Sequence, residues 1–256
     1  MKTFMYLALL LTIAWSESTA QAYDSTSTWK PSFYFGFPTQ LIDVGGLNAT
    51  LREAQLSELR STMFGFSVGT AMRHRDQNSY STGVLSFMTL MDDSYNDLRN
   101  SQINYWDLSI AGQYDITANP KWLVYPYLSI GTGIAFLSVS EVSNEASFRG
   151  GLDNLSAEDA DIKRYNTGFM INGGLGAGVE RQVILSGIRS FIGLSAGYEI
   201  SSSEKWQLRN TSYYLEDSPA FQTNGWVVEL RFRVEYDPAS KRDAFGQSRG
   251  PFKFFR

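Results

Sequence analysis

The stretch that decides the fold runs from residue 225 to residue 236 and reads GWVVELRFRVEY. From Trp226 onward every second residue is large and apolar, whereas the intervening positions hold Val227 and then four charged side chains. Successive side chains of a β-strand point to opposite faces, so this segment has one apolar wall and one charged wall. At about 3.3 Å per residue and roughly 40° of tilt, Trp226 and Tyr236 stand about 25 Å apart along a barrel axis. The pattern predicts the last strand of a transmembrane β-barrel.

The composition fits a small membrane barrel. The chain has 256 residues, of which 14% are aromatic and 19% charged, with 22 glycines and no cysteine. A net charge of −4 is too small to indicate nucleic-acid binding. Without cysteine there is neither a disulfide framework nor a lipid-anchored N-terminal cysteine.

The N-terminus has the layout of a secretory signal peptide. Lys2 precedes an apolar run from Phe4 to Trp15, and a polar segment ends in Ala20-Gln21-Ala22. A membrane anchor would need about 20 apolar residues. We therefore predict a signal peptide over residues 1–22, a barrel over 23–236 and a basic periplasmic tail over 237–256.

The same alternation recurs along the chain and predicts seven earlier strands. They lie near residues 33–38, 62–74, 81–91, 106–116, 124–136, 169–185 and 188–200. The third strand alternates poorly, which leaves its register open. Between the last two of these seven strands the apolar positions change from odd to even numbers. A two-residue hairpin at Ser186-Gly187 produces this change.

One segment has a helical period instead. Between Asn48 and Arg60, Thr50 and Glu53 have the spacing of a capping box, and Leu51 and Leu59 recur at helical spacing. The segment predicts a short helix inside a loop, with an irregular loop as the alternative.

The connections between the predicted strands alternate in length. Outer-membrane barrels have short periplasmic turns and long extracellular loops. We therefore expect the outward-facing loops to be those near residues 42–61, 92–101, 142–164 and 203–224.

A soluble barrel of the lipocalin type also has eight alternating strands. The face opposite the large apolar residues favours the membrane alternative, because it is rich in Gly, Ala and Ser and all seven lysines fall outside the predicted strand interiors. Tyrosine and tryptophan near the strand ends fit interfacial girdles. These residues are Trp106, Tyr114, Trp122, Trp226 and Tyr236.

With its signal peptide, its eight alternating segments and its aromatic final strand, residues 30–236 resemble the small OmpA/OmpX-like, porin-family outer-membrane β-barrel proteins. The resemblance implies an all-β fold, an eight-stranded antiparallel up-and-down transmembrane barrel in the bacterial outer membrane. It also implies contact with outer-membrane lipid and lipopolysaccharide, with the barrel-assembly machinery and, through the loops, with another envelope protein. The chain departs from the family by continuing from Asp237 to Arg256 after the last strand.

The sequence offers little catalytic chemistry. His74 is the one histidine, and the predicted topology places it at the periplasmic end of the second strand, away from the extracellular rim. No Cys/His cluster predicts zinc, and no Gly-rich loop with a lysine predicts phosphate binding. We expect no catalytic residue, metal or cofactor, and keep a lipid-modifying enzyme as an alternative.

The candidate site consists of charged residues on the strand faces opposite the large apolar residues. They are Arg73, Asp107, Asp115, Glu180, Glu199, Glu229, Arg231, Arg233 and Glu235. A buried charge is costly unless paired, so we expect an ion-pair network inside the barrel. By register, the nearest carboxylates to Arg231 and Arg233 are expected to be Glu180, Glu199 and Glu229. Such a network predicts that side chains plug the lumen and hold the barrel rigid. We therefore predict a non-enzymatic protein with a structural, surface-contact or envelope-integrity role. The alternative is a narrow pore for small solutes.

Overall fold

The structure is a computed structural model. It describes residues 29–54, 56–74, 78–91, 99–117, 119, 121–141, 162–185, 188–208, 214–215 and 218–235. The predicted signal peptide and the predicted basic tail lie outside these residues. None of the described helices has the length and the hydropathy needed to cross a membrane.

Strands dominate the described chain. In order, the elements are β1 (Trp29–Ile42), α1 (Gly45–Glu53), β2 (Thr62–His74), β3 (Ser79–Met91), β4 (Arg99–Tyr114), β5 (Trp122–Glu141), β6 (Ile162–Thr167), β7 (Met170–Leu185), β8 (Ile188–Ser201), β9 (Trp206–Leu208) and β10 (Gly225–Glu235).

Eight of these strands close a barrel in which every neighbouring pair is antiparallel. The order around the barrel is β1, β2, β3, β4, β5, β7, β8 and β10, and β10 pairs with β1. The register at the closure sets Phe35 opposite Phe232. The predicted eight-stranded antiparallel up-and-down barrel is thus confirmed.

Two short strands extend the sheet beyond the barrel. The far part of β5 pairs with β6, and β6 pairs with β9. Both additions correct the predicted loops, since β6 begins inside the segment 142–164 and β9 lies inside 203–224. Strand β5 carries this extension because its 20 residues continue past β7.

The two ends of the barrel differ in their connections. We call the end that contains the links β2–β3, β4–β5 and β7–β8 the short-turn end. The opposite end, which contains α1, β6 and β9, is the long-loop end. At the short-turn end Leu185 pairs with Ile188, as the predicted two-residue hairpin requires.

An apolar belt covers the outside of the barrel. On β10, Trp226 is 62% exposed and Val228 50%, while Arg233 on the opposite face is 1% exposed. The structure also settles the register of β3, where Met88 and Leu90 are buried inside. This strand alternates poorly because its inward residues pack into an apolar core at the long-loop end.

The helix differs from its prediction. It runs from Gly45 to Glu53, and its N-cap residue, Val44, makes no side-chain capping bond. Thr50 lies inside the helix, where its hydroxyl contacts the carbonyl of Gly46 at 3.4 Å, so the predicted capping box is wrong. The helix forms there because Leu47 and Leu51, one turn apart, both pack against the barrel interior.

Candidate functional site in the barrel lumen

Apolar side chains fill the lumen at the long-loop end. We call this cluster the apolar cap. Its buried members are Ile42, Val44, Leu47, Leu51, Leu59, Met63, Met88, Leu90, Ile103, Tyr105, Ala135, Leu137, Met170, Trp206 and Phe221. They come from the barrel strands, from α1, from β9 and from the connecting positions Val44, Leu59 and Phe221.

The top of the apolar cap is formed by residues outside the barrel strands. Trp206 on β9 is 2% exposed, and its ring centroid lies 5.3 Å from that of Phe221. Two backbone bonds join Glu204 and Phe221 in both directions, with N···O distances of 3.0 and 2.8 Å. The cap is therefore held by a short sheet above the barrel as well as by side-chain packing.

The lumen at the short-turn end is polar, and Glu229 is one centre of it. The Ser67 hydroxyl donates to Glu229 Oε1 at 2.6 Å, and the Tyr34 hydroxyl also donates to that oxygen. The other carboxylate oxygen accepts from Arg231 Nε at 2.7 Å. Both carboxylate oxygens are thus hydrogen-bonded inside the barrel.

Arg231 connects this centre to a second carboxylate. Its Nη1 donates to the Tyr125 hydroxyl at 2.9 Å, and that hydroxyl donates to Glu180 Oε1 at 2.7 Å. Arg233 Nη2 donates to the same oxygen at 2.9 Å and to Gln113 Oε1 at 3.1 Å. The result is a continuous chain of hydrogen bonds across the lumen, which we call the arginine network (Tyr34, Ser67, Gln113, Tyr125, Glu180, Glu229, Arg231 and Arg233).

Aromatic rings complete the surroundings of the two arginines. The Arg233 guanidinium lies 4.9 Å from the ring centroid of Tyr80, and the Arg231 guanidinium lies 5.2 Å from that of Tyr34 and 5.5 Å from that of Tyr127. A guanidinium is attracted by the face of an aromatic ring, most strongly where water is excluded. The rings therefore stabilise charge at positions that the carboxylates do not reach.

Other predicted site residues lie near this network without joining it. Glu235 forms an ion pair with Arg189, with Nε and Oε2 3.4 Å apart. Asp115 is buried and accepts hydrogen bonds from the backbone and the hydroxyl of Thr117 at 2.9 and 2.7 Å, so it shapes a turn. The guanidinium of Arg73 lies 5.3 Å from the ring centroid of Tyr80.

Asp107 and Glu199 belong to a third layer, between the arginine network and the apolar cap. Asn172 donates to the carboxylate of Asp107 and, at 3.0 Å, to the hydroxyl of Tyr105. Glu199 accepts from Gln40 Nε2 at 3.1 Å, and that nitrogen also donates to the carbonyl of Thr223 at 2.6 Å. The expected pairing of Glu199 with the arginines is wrong.

The sequence-based selection missed the neutral members of the lumen. The neutral members are Tyr34, Ser67, Gln113 and Tyr125, and the selection also missed Arg189, which pairs with Glu235. Each occupies an inward position in the alternation of its strand, which was a usable signal. Selection by charge alone omitted the four neutral residues because a hydroxyl or amide has no formal charge, while Arg189 lies next to the hairpin.

The remaining candidates for chemistry are the histidine and the residue types that bind metal ions. His74 ends β2 at the short-turn end, where its backbone pairs with that of Trp29. In the part of the chain that the structure describes, no three His, Cys, Asp or Glu side chains group in a way that could hold a metal ion. What the arrangement can do is hold two carboxylates and two guanidinium groups as paired, buried charges.

No protein-family model matches the chain, and no curated protein matches its sequence. Among solved structures, the Ail protein of Yersinia pestis is 12% identical with a TM-score of 0.42, covering 82% of this chain and 99% of Ail. A major outer-membrane protein from Thermus thermophilus is 10% identical with a TM-score of 0.45, covering 80% and 98%. OprG from Pseudomonas aeruginosa is 10% identical with a TM-score of 0.42, covering 81% and 95%. Similarity at this level assigns neither a family nor an activity.

Proposed function

We propose that the protein is a non-enzymatic integral protein of the bacterial outer membrane. In this proposal its lumen is closed and its role is envelope integrity and contact at the cell surface. The short-turn end faces the periplasm and the long-loop end faces the outside, as in other outer-membrane barrels.

The observation that carries the proposal is that side chains fill the lumen in both halves of the barrel, while the outer face of the barrel is apolar. At the long-loop end Leu90 and Ile103 are completely buried, and at the short-turn end Glu180 is completely buried and Arg233 nearly so. An eight-stranded barrel has an interior that side chains can fill. A solute would have to displace both the apolar cap and the arginine network.

The outer face supports the membrane location. Leu128, Leu175 and Ile171 are between 65% and 69% exposed, and they belong to neighbouring strands. A continuous apolar surface of this kind requires lipid or another apolar partner around it.

The long-loop end supports a role in surface contact. Tyr214 is 52% exposed and Leu208 44%, and both lie on the extension beyond the barrel wall. Apolar side chains outside the belt offer a partner protein an interaction surface.

The proposal is tested by cell fractionation, gel mobility and single-channel recording. Recovery in the outer-membrane fraction and a heat-modifiable band are expected from a folded barrel. Purified protein in a planar bilayer is expected to give no steps of conductance. Reproducible steps would favour the narrow pore, and recovery in the soluble fraction would reject the membrane barrel.

A further inference from the structure

A groove of about 970 Å³ crosses the outside of the barrel over β3, β4, β5, β7 and β8. Two glycines form its floor. Apart from its chain neighbours, no residue has an atom within 4 Å of the place where a side chain of Gly112 would begin, and at Gly173 the one such atom is the Ser129 carbonyl oxygen at 3.7 Å. Ile110 and Leu128 stand beside the floor and are 55% and 69% exposed. The groove is therefore an apolar concavity in the belt.

A pair of cations lies below this groove, at the short-turn end. Arg181 on β7 is directly opposite Trp122 on β5, and its guanidinium lies 5.6 Å from the ring centroid. Lys121 precedes Trp122 and is exposed, as is Arg181. Tryptophan is enriched at the level of lipid headgroups, so the ring fixes this guanidinium near that level.

Both cations are available to an external anion. Within the described residues neither Arg181 nor Lys121 forms an ion pair with a carboxylate. Asp115, on the same β4–β5 connection as Lys121, is 5% exposed and bonded to Thr117. The outer surface at this point therefore carries the charge of Arg181 next to an aromatic ring, and the exposed Lys121 directly precedes that ring in the chain.

A continuous column of outward residues joins the cation pair to the groove. Above Trp122 and Arg181, the opposed pairs on β5 and β7 are Val124–Val179, Pro126–Ala177, Leu128–Leu175 and Ile130–Gly173. From Trp122 to Leu128 the distance is about 20 Å along the strand and about 15 Å along the barrel axis. Half of the hydrocarbon core of a bilayer is also about 15 Å thick. The methyl end of an acyl chain would therefore reach the groove when the phosphate of the same lipid is bound at the cations.

We propose that these features form a binding site for one anionic phospholipid of the periplasmic leaflet. Its phosphate lies between Lys121 and Arg181, and one acyl chain follows the column and ends in the groove at Gly112 and Gly173. The proposal rests on the proposed membrane location and orientation. Phospholipid is the occupant because the cations lie at the short-turn end, which in that orientation faces the periplasm.

The test is native mass spectrometry of the folded barrel in detergent with equal amounts of phosphatidylglycerol and phosphatidylethanolamine. The wild-type protein is expected to retain phosphatidylglycerol preferentially. Each of Arg181→Gln and Lys121→Gln is expected to lower that preference about fivefold, the effect of one basic side chain beside anionic lipid. Arg164→Gln is the matched control, because Arg164 is an exposed arginine on β6 at the long-loop end.

The groove is tested separately by Gly112→Leu, for which there is open space. This variant is expected to reduce retention of both lipids, because the leucine side chain fills the part of the groove that binds the acyl chain. Lys121 and Arg181 remain unchanged in this variant. Gly173→Leu should act in the same way.

Equal retention of the two lipids by the wild type would overturn the proposal, and so would unchanged selectivity in the Arg181→Gln, Lys121→Gln double variant. Each variant is first checked for a heat-modifiable band. A folded, membrane-located barrel without lipid selectivity rejects the phospholipid site alone, whereas a soluble wild-type protein rejects the membrane location itself.

Discussion

The two halves of the lumen are both closed, but by different physical means. The long-loop half is filled by the apolar cap, in which Leu90 and Ile103 are completely buried. The short-turn half is filled by the arginine network, in which Arg233 and Glu180 are 1% and 0% exposed. Apolar packing requires the right volume, whereas buried charges require every partner to be present. The two halves should therefore respond to different kinds of substitution.

The largest effect is expected in the arginine network. Arg233→Leu leaves Glu180 buried without its arginine, and breaking such a pair costs about 3–5 kcal/mol of unfolding free energy. Equilibrium unfolding in detergent measures this loss. Adding Glu180→Leu should restore much of the stability, because an apolar pair of similar volume replaces a buried ion pair at little cost.

The neighbouring residue provides a control for that experiment. Phe232→Leu introduces the same side chain one position earlier, on the lipid-facing wall. It should lose at most about 1.5 kcal/mol, the usual contribution of an aromatic contact such as that between Phe232 and Phe37. A tolerated Arg233→Leu combined with a damaging Phe232→Leu would show that the faces are assigned in reverse.

A smaller loss is expected from one hydroxyl group. Tyr34→Phe removes the donor to Glu229 and keeps the ring that faces Arg231. A hydrogen bond to a charged group contributes about 1.5–3 kcal/mol, and the same unfolding assay should report a loss of that size. Tyr198→Phe is the matched control, since Tyr198 is 40% exposed on the outer face. Equal losses in both variants would contradict a special role for the buried hydroxyl.

The apolar cap should instead be sensitive to volume. Ala135 is completely buried in the cap, and Ala135→Leu should cost about 1–3 kcal/mol through overpacking. Ala196→Leu, on the exposed side of β8, should be tolerated because lipid adapts to an added side chain. If Ala135→Leu were neutral in the unfolding assay, the long-loop half would be loosely packed.

The smallest effect is expected outside both halves. Arg52 and Glu58 form an exposed ion pair near α1, with Nε and Oε1 2.8 Å apart. The hydrogen bond from Arg52 lowers the pKa of Glu58, so any stability from the pair is present at neutral pH and is lost as the pH falls through that pKa. Solvent screens such a pair. Arg52→Ala should therefore leave the unfolding midpoint unchanged at pH 7 and at acid pH, and a clear shift would indicate that α1 depends on it.

The alternation of apolar and polar residues along each strand, which we call strand parity, predicted most of the fold. The alternation of β10 gave the lipid-facing and inward-facing walls, and Leu185 and Ile188 revealed the hairpin between β7 and β8. Both depend on the two-residue period of a strand, which is a local property of the chain. The exceptions were β3, β6 and β9, whose residues pack into or above the apolar cap and therefore lose the simple alternation.

The candidate site was predictable in most of its charged members but not in its contacts. Parity placed Glu180, Glu229, Arg231 and Arg233 inside the barrel, because an inward position follows from the strand alone. It could not decide which carboxylate meets which arginine, since Arg231 pairs with Glu229 on its own strand while Arg233 reaches Glu180 on β7.

By itself, the sequence determined an eight-stranded barrel with an apolar outside and charges inside, because those features follow from local periodicity. The tertiary structure alone decided the position of the apolar cap, the separation of Glu199 from the arginines and the groove at Gly112 and Gly173. Each of these depends on side chains from strands far apart in the chain, and barrel closure with its register brings them together.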